Sequence, residues 1–515
     1  MFKKILFISI ICALDVSAQT FNWSSIEPSA NLSWVSCYSG FECTRFSVPL
    51  NYSDDQEGSA AIAMLRLRSN FTGSDYLGPI FYNPGGPGVS GVDDLVGGTG
   101  AFLAGITPQF DIVTFDPRGV DHSTPAVTFF ESDAERQFWL SAKTFDANSS
   151  SDALAVQVAQ SKVIGQLAKD RDNGILAHVA TDNVARDLLQ MVEAYGEENL
   201  QYWGISYGSL LGETFATLFP DRIDRMIIDG VLDGSGWFSN NLTDQVLDIG
   251  VVLQGFFDGC HSVGPTDCAF YASTSDEIAA NLNSLYDSIR VQPLPAYAGP
   301  SAAYGTVNYD YLRNVVVRAL YSPYSLFSPL ASALSALSAG NATEIYELIQ
   351  PIPNSELCQI TDADLPSANQ FESELAVQCA DGGVVNDTLA QLFDFMVSVN
   401  SSFAGEVATF RSGCVGWQVH PEHFKGPVGA NTSHPILLIG NTADPVTPLA
   451  NAQKISADFP GSAVLTQDSF GHTSFAASSS CTAAFVLAYF VNGTLPEPGT
   501  VCSVETPLFP SVSSA

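Results

Sequence analysis

Short apolar runs alternate with helical patterns between residues 79 and 229, and this alternation constrains the fold more than any other feature of the chain. Pro79-Ile80-Phe81-Tyr82, Asp111-Ile112-Val113-Thr114-Phe115, Asn199-Leu200-Gln201-Tyr202-Trp203 and Arg225-Met226-Ile227-Ile228-Asp229 read as buried strands. Before the third of these lies a helical pattern with Val184, Leu188, Leu189 and Val192 on one face, Thr181 as its expected N-cap and Gly196 as its stop. Parallel strands need crossover connections, so the alternation predicts an α/β fold with a mostly parallel sheet covered on both faces. From 235 to 432 the pattern changes to Ala, Ser and Leu at helical spacing, as in Leu330, Leu334 and Leu337, without a convincing strand. The sheet signal resumes over 435–439 and 463–466, and a last helix is expected over 482–490. The expected organisation is a core built from 19–234 and 433–515, interrupted by a helical cap insertion over 235–432.

Lys3 and Lys4 precede an apolar run over 5–14, and Val16-Ser17-Ala18 supplies small residues of the kind that flank a signal-peptidase cut. Residues 1–18 are therefore expected to be a signal peptide and the mature chain to be secreted and extracellular. That run is too short to span a bilayer, and no later one is long and apolar enough. Eleven Asn-x-Ser/Thr sequons, at Asn22, Asn31, Asn51, Asn70, Asn148, Asn241, Asn341, Asn386, Asn400, Asn431 and Asn492, fit a glycosylated surface. Losing Cys12 with the leader leaves nine of ten cysteines and room for at most four internal disulfides. Local spacing favours Cys37 with Cys43 and Cys260 with Cys268; Cys379 with Cys414 and Cys481 with Cys502 are the further expected pairs, leaving Cys358 free. No C-x-x-C or H-E-x-x-H spacing exists, so no metal is implied, and no organic cofactor either. With 20 Lys+Arg against 54 Asp+Glu, the net charge of -34 repels phosphate and argues against nucleic acid or an anionic membrane as a partner. An acidic medium would neutralise part of that excess and reduce self-repulsion.

Gly204-Ile205-Ser206-Tyr207-Gly208 sits directly after a strand and before the helical run 210–218. A sharp strand-to-helix turn needs glycines on both sides so that the serine can take a strained backbone and expose its hydroxyl. A serine is a weak nucleophile unless a base takes its proton, and the base must be held in the right tautomer by a carboxylate. Of seven histidines, His472 lies in a loop after the last core strand, and Asp444 lies just past the end of the strand before it. Ser206, Asp444, His472 is the chain order of α/β-hydrolases, with the partners in loops at strand ends where such sheets place their sites. Tyr82-Asn83-Pro84-Gly85-Gly86-Pro87-Gly88 follows another strand, and its glycines let the main chain approach a developing oxyanion. The amides of Gly86 and Tyr207 are the expected oxyanion hole. A phosphate-cradling loop is the competing reading of those glycines, but no Lys-Ser/Thr ending and no suitable G-x-G-x-x-G accompany them.

Taken in order, that loop, Phe115-Asp116-Pro117-Arg118-Gly119-Val120, Trp203-Gly204-Ile205-Ser206-Tyr207-Gly208, Asp229-Gly230-Val231, Gly440-Asn441-Thr442-Ala443-Asp444-Pro445-Val446-Thr447-Pro448 and Gly471-His472 resemble the secreted tripeptidyl aminopeptidase group related to proline iminopeptidases. Cys414 and Trp417 resemble the start of that group's C-terminal region, and the likeness covers nearly the whole mature chain. Asp121 stands where relatives often have a second glycine. The resemblance implies an α/β-hydrolase fold with a helical cap, and exopeptidase chemistry at free peptide N-termini.

The expected function is thus a monomeric serine exopeptidase acting on peptides, with Ser206 as nucleophile, His472 as base and Asp444 as its orienting carboxylate. An aminopeptidase must pair its substrate's ammonium with carboxylates, and Glu213, Glu344, Glu347, Glu372 and Glu374 are candidates. An esterase or lipase-like enzyme with the same triad is the alternative, and a non-catalytic secreted binding protein a further one. A serine carboxypeptidase carries Glu before its nucleophile, where this chain has Ile205.

Overall fold

The computed structural model describes residues 21–300, 302–349 and 369–510, so the leader segment, Cys12 and Cys358 lie outside the described residues. The strands β1 (Val35–Cys37), β2 (Phe41–Asn51) and β3 (Asp54–Leu67) form an antiparallel meander. β4 (Pro79–Asn83), β5 (Asp111–Phe115), β6 (Leu200–Ile205) and β7 (Ile223–Asp229) follow; a separate hairpin joins β8 (Leu294–Tyr297) to β9 (Tyr304–Val307); and β10 (Leu437–Ala443), β11 (Ala463–Phe470) and β12 (Val501–Ser503) complete the main sheet. Its order is β1-β2-β3-β5-β4-β6-β7-β10-β11-β12, and every pair from β5 to β12 is parallel.

Alternation along the strands feeds two cores. Phe81, Val113, Tyr202, Met226, Ile228 and Leu438 pack on one face of the sheet. Ile80, Tyr82, Ile112, Trp203, Ile227, Leu437 and Ile439 pack on the other. Each such apolar side chain contributes roughly 1.5–3 kcal/mol when fully buried, which is why continuous apolar runs mark these strands. The meander escapes that signal. β2 buries Phe46 and Val48 between half-exposed Arg45 and Ser47, and β3 is rich in alanine, a poor strand former.

Between β7 and β10 the chain leaves the sheet. The part from 249 to 345 has its own core, with Val252, Phe256, Leu282, Leu312, Val316, Phe327 and Leu334 fully or almost fully buried. The part from 371 to 417 instead sends Leu375, Ala376, Cys379, Ala380, Cys414 and Trp417 into the core of the sheet. The hairpin β8–β9 is a departure from the all-helical expectation; its four-residue strands bury only Ala296 and Val307 and leave no apolar run to read.

The helix Thr181–Tyr195 ends at Gly196 with φ 96°, as its sequence predicts, but Thr181 is its first helical residue and not its N-cap. The Thr181 hydroxyl is drawn away from a capping position because it donates to Asp381 at 2.6 Å and meets the Tyr207 hydroxyl at 2.5 Å. Asp187 of the same helix accepts from Arg118 Nε at 2.7 Å, and Arg118 also donates to the carbonyls of Pro49 and Leu50, so one buried guanidinium ties β2 to the loop after β5. Disulfides join Cys37–Cys43, Cys260–Cys268, Cys379–Cys414 and Cys481–Cys502. Among the described residues no helix is long and apolar enough to cross a membrane.

Candidate active site

Ser206 stands between β6 and the helix Tyr207–Leu218 with φ 56° and ψ -126°, a backbone that non-glycine residues rarely adopt. Its neighbours leave no room for larger residues: a Cβ on Gly204 would lie 2.2 Å from the Gly208 carbonyl oxygen, and one on Gly208 would lie 2.6 Å from that of Asn83. Close packing of the helix against β4 and β6 therefore enforces the turn. Its backbone is held from two sides, with the Ser206 amide donating to Asp229 O at 2.9 Å and the Ser206 carbonyl accepting from Ser209 N at 2.8 Å.

His472 follows β11, and its Nδ1 lies 3.0 and 3.1 Å from the two carboxylate oxygens of Asp444. The Asp444 carboxylate is fully buried and also accepts from the amides of Val446, Thr447 and Thr473 and from the Thr447 hydroxyl. Burial alone would raise the carboxyl, but His472 and these donors outweigh it and hold the group below the usual carboxylate range. A carboxylate facing Nδ1 favours the tautomer with hydrogen on that atom, leaving the Nε2 lone pair free. The His472 amide donates to Tyr321 O at 2.9 Å and the two rings meet edge-to-face at 5.3 Å, so the helix Tyr309–Tyr321 of the insertion helps place the imidazole.

Ser206 and Gly86 line one cavity of about 560 Å³, together with Tyr321, Trp237, Phe371, Glu374, Pro445 and Val446. Among the described residues no hydrogen bond joins Ser206 to His472; such contacts are commonly long before substrate binds. The loop after β4 touches the serine through Gly85, whose Cβ would lie 2.8 Å from that of Ser206. The Gly85 amide is taken by Asn83 Oδ1 at 3.0 Å, while the Tyr207 amide belongs to the first helical turn, whose donors lack intrahelical acceptors.

Two residues that sequence reasoning left without a role frame this site. Asn441 donates to the carbonyls of Gly471 and Thr473, clamping the chain on both sides of His472. Asp229 accepts from the Ser474 amide at 2.9 Å and hydroxyl at 2.5 Å, while its own carbonyl receives the Ser206 amide. Its carboxyl is pushed up to about 6 by burial, with Ser474 opposing the rise and Asp444 adding to it. Both lie inside sequence motifs around the triad, yet a polar residue at a strand end reads equally as a turn former.

The five candidate glutamates separate sharply. Glu213 is buried against Gly234, away from the cavity, so the helix that carries Ser206 turns it out of reach of a substrate. Glu372 is held by Arg136 at 2.9 Å, and Glu344 and Glu347 are exposed. Glu374 lines the cavity with Ser206; burial raises its carboxyl and the Lys143 ammonium opposes the rise. The helix that bears it, Gln370–Asp381, rests on the loop after β4: a Cβ on Gly88 would come within 2.8 Å of both Gln370 O and Glu374 N.

Residues 78–259 match the model of the α/β hydrolase fold, and residues 401–502 match that of TAP-like proteins. Serine protease Hip1 of Mycobacterium tuberculosis is 28% identical over 482 residues, covering 90% of this chain and 87% of that one. Tripeptidyl aminopeptidase of Streptomyces lividans is 27% identical over 86% of this chain and 81% of its own. Carboxylesterase B of Mycobacterium tuberculosis is likewise 27% identical, over 90% and 86%. With a mostly parallel sheet and both matches in sequence order, the chain has the α/β-hydrolase fold, is similar to TAP-like proteins over its C-terminal region, and is a serine hydrolase.

Proposed function

We propose that the protein is a secreted, glycosylated serine exopeptidase that removes short peptides or single residues from free peptide N-termini. His472 takes the proton of Ser206, Ser206 attacks the scissile carbonyl, the Gly86 and Tyr207 amides hold the oxyanion, and His472 returns the proton to the leaving amine. Water then releases the acyl group by the same steps. No cofactor takes part in this scheme. The observation that carries the reading is Glu374, a carboxylate on the cavity wall beside the oxyanion loop, where it can pair with the ammonium of a peptide seated over Ser206.

Glu374→Gln keeps the size and removes the charge. It is expected to lower kcat/KM on a free-amine peptide anilide by about 10- to 100-fold, with a much smaller effect on the N-acetylated anilide. Equal losses on both substrates would remove Glu374 from amine recognition. The aromatic walls Trp139, Phe145, Trp237, Phe371 and Phe410 favour a second reading, an esterase with an apolar acyl pocket. A short-chain ester hydrolysed faster than any free-amine peptide decides for it.

An acidic working medium fits the buried carboxyls. Burial pushes Asp116, Asp229 and Asp381 up to about 6 and Glu406 up to about 7, in each case against nearby hydrogen bonds or cations. A carboxyl raised in the folded state binds its proton more tightly there than in the unfolded chain, so stability falls as pH rises between roughly 4 and 7. His122 acts in the same direction: burial opposes its charge, but Asp93, Asp116 and Asp121 raise it to about 9, so its contribution disappears between about 6.5 and 9. Asp444, held low, contributes oppositely and only below about pH 4. The melting temperature is therefore expected to peak near pH 4–5 and decline toward pH 8. A steady rise from about pH 4 to pH 8 contradicts this.

A further inference from the structure

The cavity around Ser206 is lined by charges of both signs, Glu374 and Glu406 against Lys143 and Arg318. Glu374 stands beside the loop after β4, where the exopeptidase reading seats the acyl part. On the other wall the helix Tyr309–Tyr321 contributes Asn314, Val317, Arg318 and Tyr321. Tyr321 packs on His472 and accepts its amide, so Arg318, one turn earlier on the same helix, belongs to the histidine side. The general acid that protonates the leaving amine stands on that side, so the leaving part of the substrate passes there.

Arg318 is set apart from most cations of this acidic chain. Arg66, Arg118, Arg136, Arg313 and Arg411 each meet a carboxylate at 3.5 Å or less. Arg318 makes no ion pair among the described residues; its Nε donates to Asn314 Oδ1 at 3.1 Å, a neutral partner that steadies the guanidinium without neutralising it. Lys143, the other cation on the cavity wall, makes no ion pair among the described residues either, but its ammonium lies over the Phe371 ring, 4.3 Å from the centroid. A fork of donors beside a pocket suits a planar carboxylate better than any other anion a peptide carries.

We infer that Arg318 is a specificity-determining residue that binds a carboxylate on the leaving-group side of the scissile bond. This rests on the exopeptidase reading, and the carboxylate has two possible sources: an acidic side chain just after the cleaved bond, or the C-terminus of a short peptide. In a protein of charge -34, such a substrate part is otherwise repelled, and one guanidinium at the mouth offsets this.

The test uses the full-length enzyme and two matched pairs built on the peptide it cleaves fastest. The first pair places Asp or Asn after the scissile bond, both with amidated ends; the second places Ala there, with a free or an amidated C-terminus. The wild type is expected to prefer the carboxylate member of at least one pair by about tenfold in kcat/KM, less at high salt, and that pair names the source. Arg318→Met should bring the ratio close to one, and Arg318→Glu should invert it toward a lysine after the bond. Absence of preference in both pairs, or a preference that survives both substitutions, overturns the inference. If free-amine peptides are not cleaved, the exopeptidase reading fails by itself. Arg318 is then read on 4-acetoxybenzoate against its methyl ester, whose rate ratio should fall in Arg318→Met; a ratio unchanged by the substitution overturns the inference there too.

Discussion

Ser206→Ala is expected to lower kcat by roughly 10⁶-fold and to abolish labelling by a fluorophosphonate, with the thermal unfolding curve unchanged. The size follows from the division of labour in the site. The proposed oxyanion amides and the cavity remain, so a residual rate of about 10³–10⁴ over water is expected to survive. No acyl-enzyme can form without Oγ. The fold is insensitive because the contacts that hold the turn belong to the backbone: Ser206 N to Asp229 O, and Ser206 O to Ser209 N and Oγ. Alanine keeps the same Cβ in the same tight space beside Gly85. Full activity in the purified variant, or labelling that persists, removes Ser206 from the nucleophile's role.

What the sequence made legible followed from how strongly each element depends on local chemistry. The parallel strands could be read because burial on both faces demands unbroken apolar runs, and the turn at Ser206 because a Cβ at either flanking glycine would lie 2.2 or 2.6 Å from a backbone oxygen. The meander β1–β3 was not legible, since half-exposed polar residues such as Arg45 and Ser47 interrupt the apolar run of β2. Thr181 shows the same limit from another side. Cap chemistry assigned its hydroxyl to its own helix, whereas Asp381, distant in sequence, claims it in the folded chain. Glu213 and Glu374 could not be told apart as letters; the direction in which each helix presents its side chain separates them, and that depends on how the insertion docks on Gly88. Asn441 and Asp229 take their roles from partners distant in sequence, which the motifs that contain them do not reveal.

Asp444→Asn is expected to lower kcat by roughly 10⁴-fold with little change in KM. The carboxylate now accepts from three amides, the Thr447 hydroxyl and His472 Nδ1, and both of its oxygens are in use. An asparagine offers one oxygen and turns an NH₂ toward donors or toward Nδ1. Where the NH₂ faces the ring, Nδ1 must accept, the imidazole proton moves to Nε2, and the base can no longer take a proton from Ser206. Substrate contacts are untouched, which is why the loss falls on kcat. Asp229 provides the control, being a second buried carboxylate close enough to raise questions about which one serves the histidine. It reaches Ser474 and not the ring, so Asp229→Asn should disturb the loop and cost about tenfold, and its variant should keep the wild-type dependence of kcat on pH. The two substitutions thus separate orientation of the imidazole from support of the loop that carries it. If Asp229→Asn proves the more damaging and Asp444→Asn stays within tenfold of the wild type, the orienting carboxylate is Asp229, and the hydrogen bonds converging on Asp444 serve the chain reversal before Pro448 instead.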